Sequence, residues 1–264
     1  MIYQNINPVI LEFGPFQVRY YGLFWAIGFI IAYFMIYHLA KRKEIRLTKD
    51  DVSDLIIYLM AGIILGARII YVIFYNAAFY VQKPLEIFAV WHGGLSFHGG
   101  LLGATIAVFL FSRKKKIHFY ELADLIAVPA ALALALGRIG NFTNAELYGR
   151  ITDVSWCIDY SKNQYVDGLP SGCRHPSQIY ESIKNLLIFA ALWTIKNKKL
   201  PRGFMFWTFV TMYGFLRFFI EFFRQPDEQI GFLFGSFSMG QLLSLPLFLV
   251  GIFMLIKLKQ KSIN

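Results

Sequence analysis

"YGLFWAIGFIIAYFMIYHLAKRKEIR", residues 21–46, decides the fold class. Residues 21–40 carry no Asp, Glu, Lys or Arg, and four of the next six residues are Lys or Arg. An α-helix rises ~1.5 Å per residue, so ~20 apolar residues cross a hydrocarbon layer ~30 Å thick. A basic cluster directly after such a run marks the cytoplasmic end of a spanning helix. The stretch therefore predicts a transmembrane helix that ends in the cytoplasm.

Six further runs follow, at about residues 52–75, 95–111, 119–136, 178–195, 203–223 and 237–256. The third and fourth runs of the chain are short enough to be tilted, kinked or re-entrant. Composition agrees. The 264 residues are 57% hydrophobic, with 27 Phe and 16% charged residues, against ~25% charged in a soluble domain. The expected fold is an all-α integral membrane protein of seven transmembrane helices. It forms one polytopic domain over 1–264, with an outer interfacial arm at 1–19 and a small periplasmic segment at 138–175.

The net charge of +10 raises nucleic acid as a partner, but its placement points elsewhere. Sixteen of the 26 basic residues fall in four short connections, 41–49, 113–116, 196–202 and 257–261. The alternate connections hold Arg19, Lys83, Arg138, Arg150, Lys162, Arg174 and Arg224 over far more chain. The positive-inside rule then puts the C-terminus in the cytoplasm and, with seven spans, the N-terminus in the periplasm. The charge is a topology signal, so the partner is the lipid bilayer and no nucleic acid is expected. The first 19 residues lack a basic n-region and a cleavage motif and are expected to be retained.

Charges inside spans are rare and tend to face a bundle interior or a wet cavity. Arg68 lies inside the second run, and Arg217 and Glu221 inside the sixth. Arg217, Glu221 and Arg224 are spaced i, i+4, i+7, which predicts one helix face. A buried Arg–Glu pair that locks helices together is one reading. An excess of guanidinium, whose fork matches phosphate, is the other and favours an anionic ligand. A second polar cluster, "GRIGNFTNAELYGR" at 137–150, is expected just outside the fourth span and supplies Arg138, Asn141, Asn144, Glu146, Gly149 and Arg150. The third is "WHGGLSFHGGLLG" at 91–103. Glycine costs about 1 kcal/mol in a helix interior, so its five glycines predict a poor regular helix, with backbone N–H groups or close lipid approach around His98. His92 is the weaker histidine of the two. Ser96 near His98 raises a serine hydrolase, but no third group is identifiable.

Cys157 and Cys173 share the outer segment, where a disulfide and two free thiols both remain open. Neither CxxC nor HExxH spacing occurs, so no metal site is expected.

Taken in order, "RYYGLFWAIGF", "GARIIYVIFY", "WHGGLSFHGGLLG", "GRIGNFTNAELYGR", "HPSQIYE" and "RFFIEFFRQPD" resemble the bacterial prolipoprotein diacylglyceryl transferase family along nearly the whole chain. The resemblance implies a seven-helix enzyme of the bacterial plasma (inner) membrane, with its active site near the periplasmic leaflet. Such an enzyme moves the diacylglyceryl group of phosphatidylglycerol onto the lipobox cysteine of a prolipoprotein signal peptide, forming a thioether and releasing glycerol phosphate. No cofactor is implied. By motif, Arg138 and Arg217 would bind the phosphate and offset charge on the leaving group. His98 would be a base or thiol orienter, and Tyr21 would hydrogen-bond the head group. Asn141, Asn144, Glu146 and Gly149 resemble the rest of the site, with Glu221 and Arg224 positioning Arg217 and the lipid. Arg68, His175 and Glu181 are second-line candidates. The segment 151–174 carries no family signature. Two rival classes remain, an anionic lipid or organic-anion transporter and an intramembrane serine protease built on Ser96 and His98.

Overall fold

The computed structural model describes residues 2–14, 16–226, 232–233 and 237–261. Three short strands come first: β1 (Ile2–Tyr3), β2 (Val9–Phe13) and β3 (Phe16–Arg19). Then follow α1 (Tyr20–Arg42), α2 (Lys49–Phe74), the short α3 (Ala77–Gln82), two 3₁₀ turns (Pro84–Phe88 and Val90–His92), α4 (Phe97–Lys115) and α5 (Phe119–Thr143). Strands β4 (Ile158–Asp159) and β5 (Cys173–Arg174) precede α6 (Ser177–Ile195) and α7 (Phe204–Ile220). Strands β6 (Phe232–Leu233) and β7 (Phe237–Ser238) lead into α8 (Met239–Lys261).

The chain is mostly helical and of the integral membrane class. Among the described residues, α1, α2, α5 and α8 are long and apolar enough to cross a membrane, and α7 is a shorter apolar helix. Two others are less apolar for visible reasons. α4 ends in Arg113, Lys114 and Lys115, and α6 buries Gln178, Glu181, Lys184 and Asn185 in its first half.

Three element boundaries differ from the sequence reading. The N-terminal arm is built of strands, with β2 antiparallel to β3. The fourth run continues as helix to Thr143, so Arg138 and Asn141 sit on the last turns of α5 rather than beyond it. The sixth ends at Ile220, so Glu221 lies in the following turn and Arg224 pairs in a β-bridge with Gly149. One helix face therefore carries Arg217 and Glu221 but not Arg224. Asp227, the end of the "RFFIEFFRQPD" motif, lies outside the described residues.

The chain forms two compact units, Ile36–Ala123 and Met1–Met35 with Asp124–Asn264. In the first of these, α2 packs against α4. Thr48 and Asp51 form a capping box that starts α2, and Asp51 pairs with Lys115 at the end of α4. Asp54 lies 3.8 Å from Lys114, so the pair is antiparallel with both basic connections at one end. The glycines of 91–103 are explained here. Gly99, Gly100 and Gly103 are regular helix, contrary to the expected irregular backbone. A Cβ on Gly103 would lie 1.9 Å from the Gly62 carbonyl oxygen, and one on Gly99 2.3 Å from that of Gly66. Gly62, Gly66, Gly99 and Gly103 thus form facing small-xxx-small seams, whose packing offsets the helix cost of glycine. Of the five glycines in 91–103, only Gly93 and Gly94 use positive φ, of 84° and 74°.

In the other unit, the first half of α1 lies against α5. A Cβ on Gly140 would meet Tyr21 at 2.9 Å, and one on Gly137 would meet Trp25 at 3.2 Å. α7 packs on both α6 and α8. The buried Asp124 of α5 accepts from the backbone N–H of Gly203 (2.7 Å) and Phe206 (2.8 Å), capping α7. Between α5 and α6, β1, β4 and β5 form a small sheet. It covers a core of Ala145, Ile158 and Tyr160 packed by Phe142, Tyr148 and Leu169. Cys157 and Cys173 are joined in a disulfide beside it.

Candidate active site

Glu181 is the hub of a buried charge cluster. It stands on the first turns of α6 with 2% of its side chain exposed. Its Oε1 accepts from Arg217 Nη1 at 2.6 Å. Its Oε2 accepts from Lys184 Nζ at 2.9 Å and lies 3.5 Å from Arg138 Nε. Arg217 Nη2 reaches Glu221 Oε2 at 2.5 Å, as an ion pair without hydrogen-bond geometry. The Glu221 carboxyl sits over Gly240, where a Cβ would come within 2.5 Å of it. Lys184 Nζ also stands 3.8 Å from the centre of the Tyr213 ring.

The charges do not cancel. Three cations, Arg138, Lys184 and Arg217, face two carboxylates, Glu181 and Glu221. Buried charge is costly unless paired, and among the described residues the cluster carries one positive charge in excess. Arg138 is where it is available. It touches Glu181 only through Nε, and its two terminal nitrogens have no acceptor among the described residues. Its side chain is 16% exposed, against 10% for Arg217. A guanidinium held by one edge with the fork open is suited to bidentate phosphate binding.

A polar turn follows α5. Glu146 Oε1 accepts from Asn141 Nδ2 (2.8 Å) and Asn144 Nδ2 (3.2 Å). Ala145 and Leu147 on either side have φ of 54° and 58°, a conformation that costs non-glycine residues ~1–3 kcal/mol. α6 holds the turn in place. Gln178 Nε2 donates to Glu146 O (2.7 Å) and Ser177 Oγ to Leu147 O (2.7 Å). Gly149 is a crossing point. Its N–H donates to His175 O at 2.9 Å, and a Cβ there would lie 2.5 Å from both His175 O and Phe223 O. Arg150 spends its guanidinium on Arg224 O (3.0 Å) and Glu221 O (3.3 Å). His175 Nδ1 lies 3.1 Å from Tyr180 Oη. Its ring packs on Phe223, and burial holds its imidazole below the ordinary histidine range.

Tyr21, Arg138, Asn141, Asn144, Glu146, Gly149, His175, Glu181, Arg217, Glu221 and Arg224 all belong to this unit. His98 and Arg68 belong to the other. His98 is exposed on the first turn of α4. Arg68 is buried, and each of its five N–H donors is directed at a backbone carbonyl, those of Glu86, Ile87, Ala89, Gly93 and Gly94. Arginine has five such donors, so Arg68 clamps the loop before α4. His92 pairs with Glu86 at 2.8 Å on the surface. Ser96 caps α4, its Oγ accepting from Gly99 N at 3.3 Å. No hydrogen bond joins Ser96 to His98 among the described residues, which leaves the serine protease reading without its central contact.

The model of the prolipoprotein diacylglyceryl transferase family matches residues 8–257. The chain belongs to this family. A phosphatidylglycerol–prolipoprotein diacylglyceryl transferase of Geobacter sulfurreducens is 47% identical over 265 residues, covering 100% of both chains. Proteins of the same name from Bordetella parapertussis and Legionella pneumophila strain Corby are each 43% identical. The first covers 94% of both chains, and the second 96% of this chain and 98% of its own. Within this transferase scaffold, the sequence reading ranks Glu181 as second-line and omits Lys184, although both line the cluster. The missed signal is a charge pair spaced i, i+3 inside an apolar run. The same rule that singles out Arg68 and Arg217 applies to it.

Proposed function

We propose that this protein transfers the diacylglyceryl group of phosphatidylglycerol to the lipobox cysteine thiol of prolipoproteins, the first step of bacterial lipoprotein maturation. One observation carries the assignment of the site. Arg138, edge-bound to Glu181, offers an open fork beside Arg217 in a chain of this family. The thiolate sulfur attacks the glyceryl carbon that bears the phosphate. A C–S bond forms, the C–O bond breaks and glycerol phosphate departs with one additional negative charge. Arg138 and Arg217 offset that charge as it develops. The thiol, with a free pKa near ~8.5, gives up its proton as it attacks, and His98 keeps the role of base or thiol orienter that the family resemblance implies. Tyr21, packed on Gly140 of α5, is assigned to the head group with Asn141, Asn144 and Glu146.

The seven spans are assigned to α1, α2, α4, α5, α6, α7 and α8, in the inner membrane. The Cys157–Cys173 disulfide supports a periplasmic location for the segment between α5 and α6, because such bonds persist in oxidising compartments. Lys114 and Lys115, at the cytoplasmic end by charge, pair with the start of α2, which supports the same orientation. The anion-transporter alternative is not favoured, since relatives similar over their full length bear a transferase name.

The test is direct. Detergent-purified protein is incubated with phosphatidylglycerol and a lipobox peptide, and the peptide is weighed by mass spectrometry. A gain of one diacylglyceryl group on cysteine is expected. Anion transport into proteoliposomes with no change of peptide mass would overturn the reading.

A further inference from the structure

The strand-built part of the Tyr21 unit holds an open cavity of about 650 Å³ that adjoins the site above. It is lined by residues 9–12 of β2, by Tyr165, Val166 and Asp167, and by Asn144 and Glu146. The last two also belong to the polar turn after α5, so the cavity is continuous with the candidate site. Its framework is fastened by hydrogen bonds far apart in sequence. Gln4 Nε2 donates to Phe142 O at 2.9 Å, Asn163 Nδ2 to Ile6 O at 3.3 Å, and Gln164 N to Asn5 Oδ1 at 3.0 Å.

Two properties define what would fill it. The first is charge. Away from the polar turn, where Glu146 is held by two amides, Glu12 and Asp167 face a single guanidinium, that of Arg19, among the lining residues. An acidic cavity repels an anionic lipid head group and accepts a neutral or basic ligand. The second is backbone. Among the described residues β2 pairs with β3 alone, so one edge of β2 has no strand partner, and β2 lines the cavity. An unpaired edge is a template for an added strand.

We infer that this groove receives the stretch of acceptor polypeptide that directly follows the modified cysteine, added in extended form along β2. This rests on the transferase reading, which requires a polypeptide acceptor. The lipid and the polypeptide are thereby sorted by charge: the anionic donor to the arginine cluster, the acceptor chain to the acidic groove. Specificity resides in backbone hydrogen bonds and in charge, which allows acceptors of different sequence.

The test compares two lipobox peptides with the full-length protein, one ending at the cysteine and one extended by a short lysine-containing segment. The extension is expected to lower the peptide KM about tenfold. Methylating its backbone nitrogens is expected to remove that gain. Glu12→Lys with Asp167→Lys is expected to reverse the preference, so that a glutamate-containing extension becomes the better acceptor. Activity on the short peptide and the KM for phosphatidylglycerol should stay unchanged, which shows the variant folded. Equal KM values for the short and extended peptides would overturn the assignment. So would a raised KM for phosphatidylglycerol in the double variant, which would give the groove to the lipid. Absence of thioether from either peptide would overturn the transferase reading and the groove with it.

Discussion

A single carboxylate, that of Glu181, organises the candidate site. Arg217 and Lys184 occupy its two oxygens at 2.6 and 2.9 Å, which leaves Arg138 a longer contact of 3.5 Å. Lys184 therefore competes for the oxygen that would otherwise draw in Arg138. Replacing Lys184 by Met removes the excess positive charge and lets Glu181 close on Arg138. Its expected result is a KM for phosphatidylglycerol raised about tenfold, with thermal stability little changed, since the two remaining cations then face two carboxylates. Adding Glu181→Gln restores the excess positive charge and should recover part of the loss in KM. Kinetics and unfolding of the single and double variants check this. His175 makes a pH-dependent contribution. Its folded imidazole resists protonation, whereas the unfolded one titrates near 6.5. Stability is thus fully present above that value and falls as pH drops below it. Thermal unfolding between pH ~7 and ~5 should fall less steeply in His175→Gln. Arg68 and Arg217 are legible in the sequence as charges inside apolar runs, and Arg138 as part of the polar cluster after the fourth. What the sequence withholds is that Arg68 is spent on five carbonyls while Arg138 keeps its fork open.

Glycines show how far pattern reading extends to elements. In isolation, "FHGGLLG" reads as a weak helix because each glycine carries an intrinsic cost. Its partner, Gly62–Gly66 on α2, lies some 35 residues earlier, and only the tertiary pairing reveals that the missing side chains permit contact. Gly103→Leu is expected to separate α2 from α4 and lower thermal stability, with about 1–3 kcal/mol typical of overpacking. An exposed change on the same helix, Thr105→Ala, should have little effect. The disulfide follows a similar logic. Spacing leaves its formation open, whereas the fold brings β5 against the segment containing Cys157 and closes a loop of 16 residues. Cys157→Ser with Cys173→Ser is expected to cost ~3 kcal/mol of stability, measured by thermal unfolding against the oxidised protein.

Over the whole molecule, composition gives the membrane class and the basic clusters an expected orientation. The number of spans is less accessible, since α6 is polar in its first half and α4 ends in basic residues. The polar residues of α6 blur the hydropathy pattern because they line the charge cluster, whereas those of α4 mark its basic connection. Orientation has its own measurement. A cysteine at Lys162 should react with a membrane-impermeant maleimide in intact cells, and one at Lys198 only after permeabilisation. The reverse pattern would invert the topology.

The most direct measurement is the rate of thioether formation by Arg138→Ala at saturating phosphatidylglycerol, read by mass spectrometry of the lipobox peptide. Loss of a phosphate-directed fork is expected to cut the rate by at least ~10²–10³ while circular dichroism shows the helices intact. A near-normal rate would show that the phosphate is bound elsewhere.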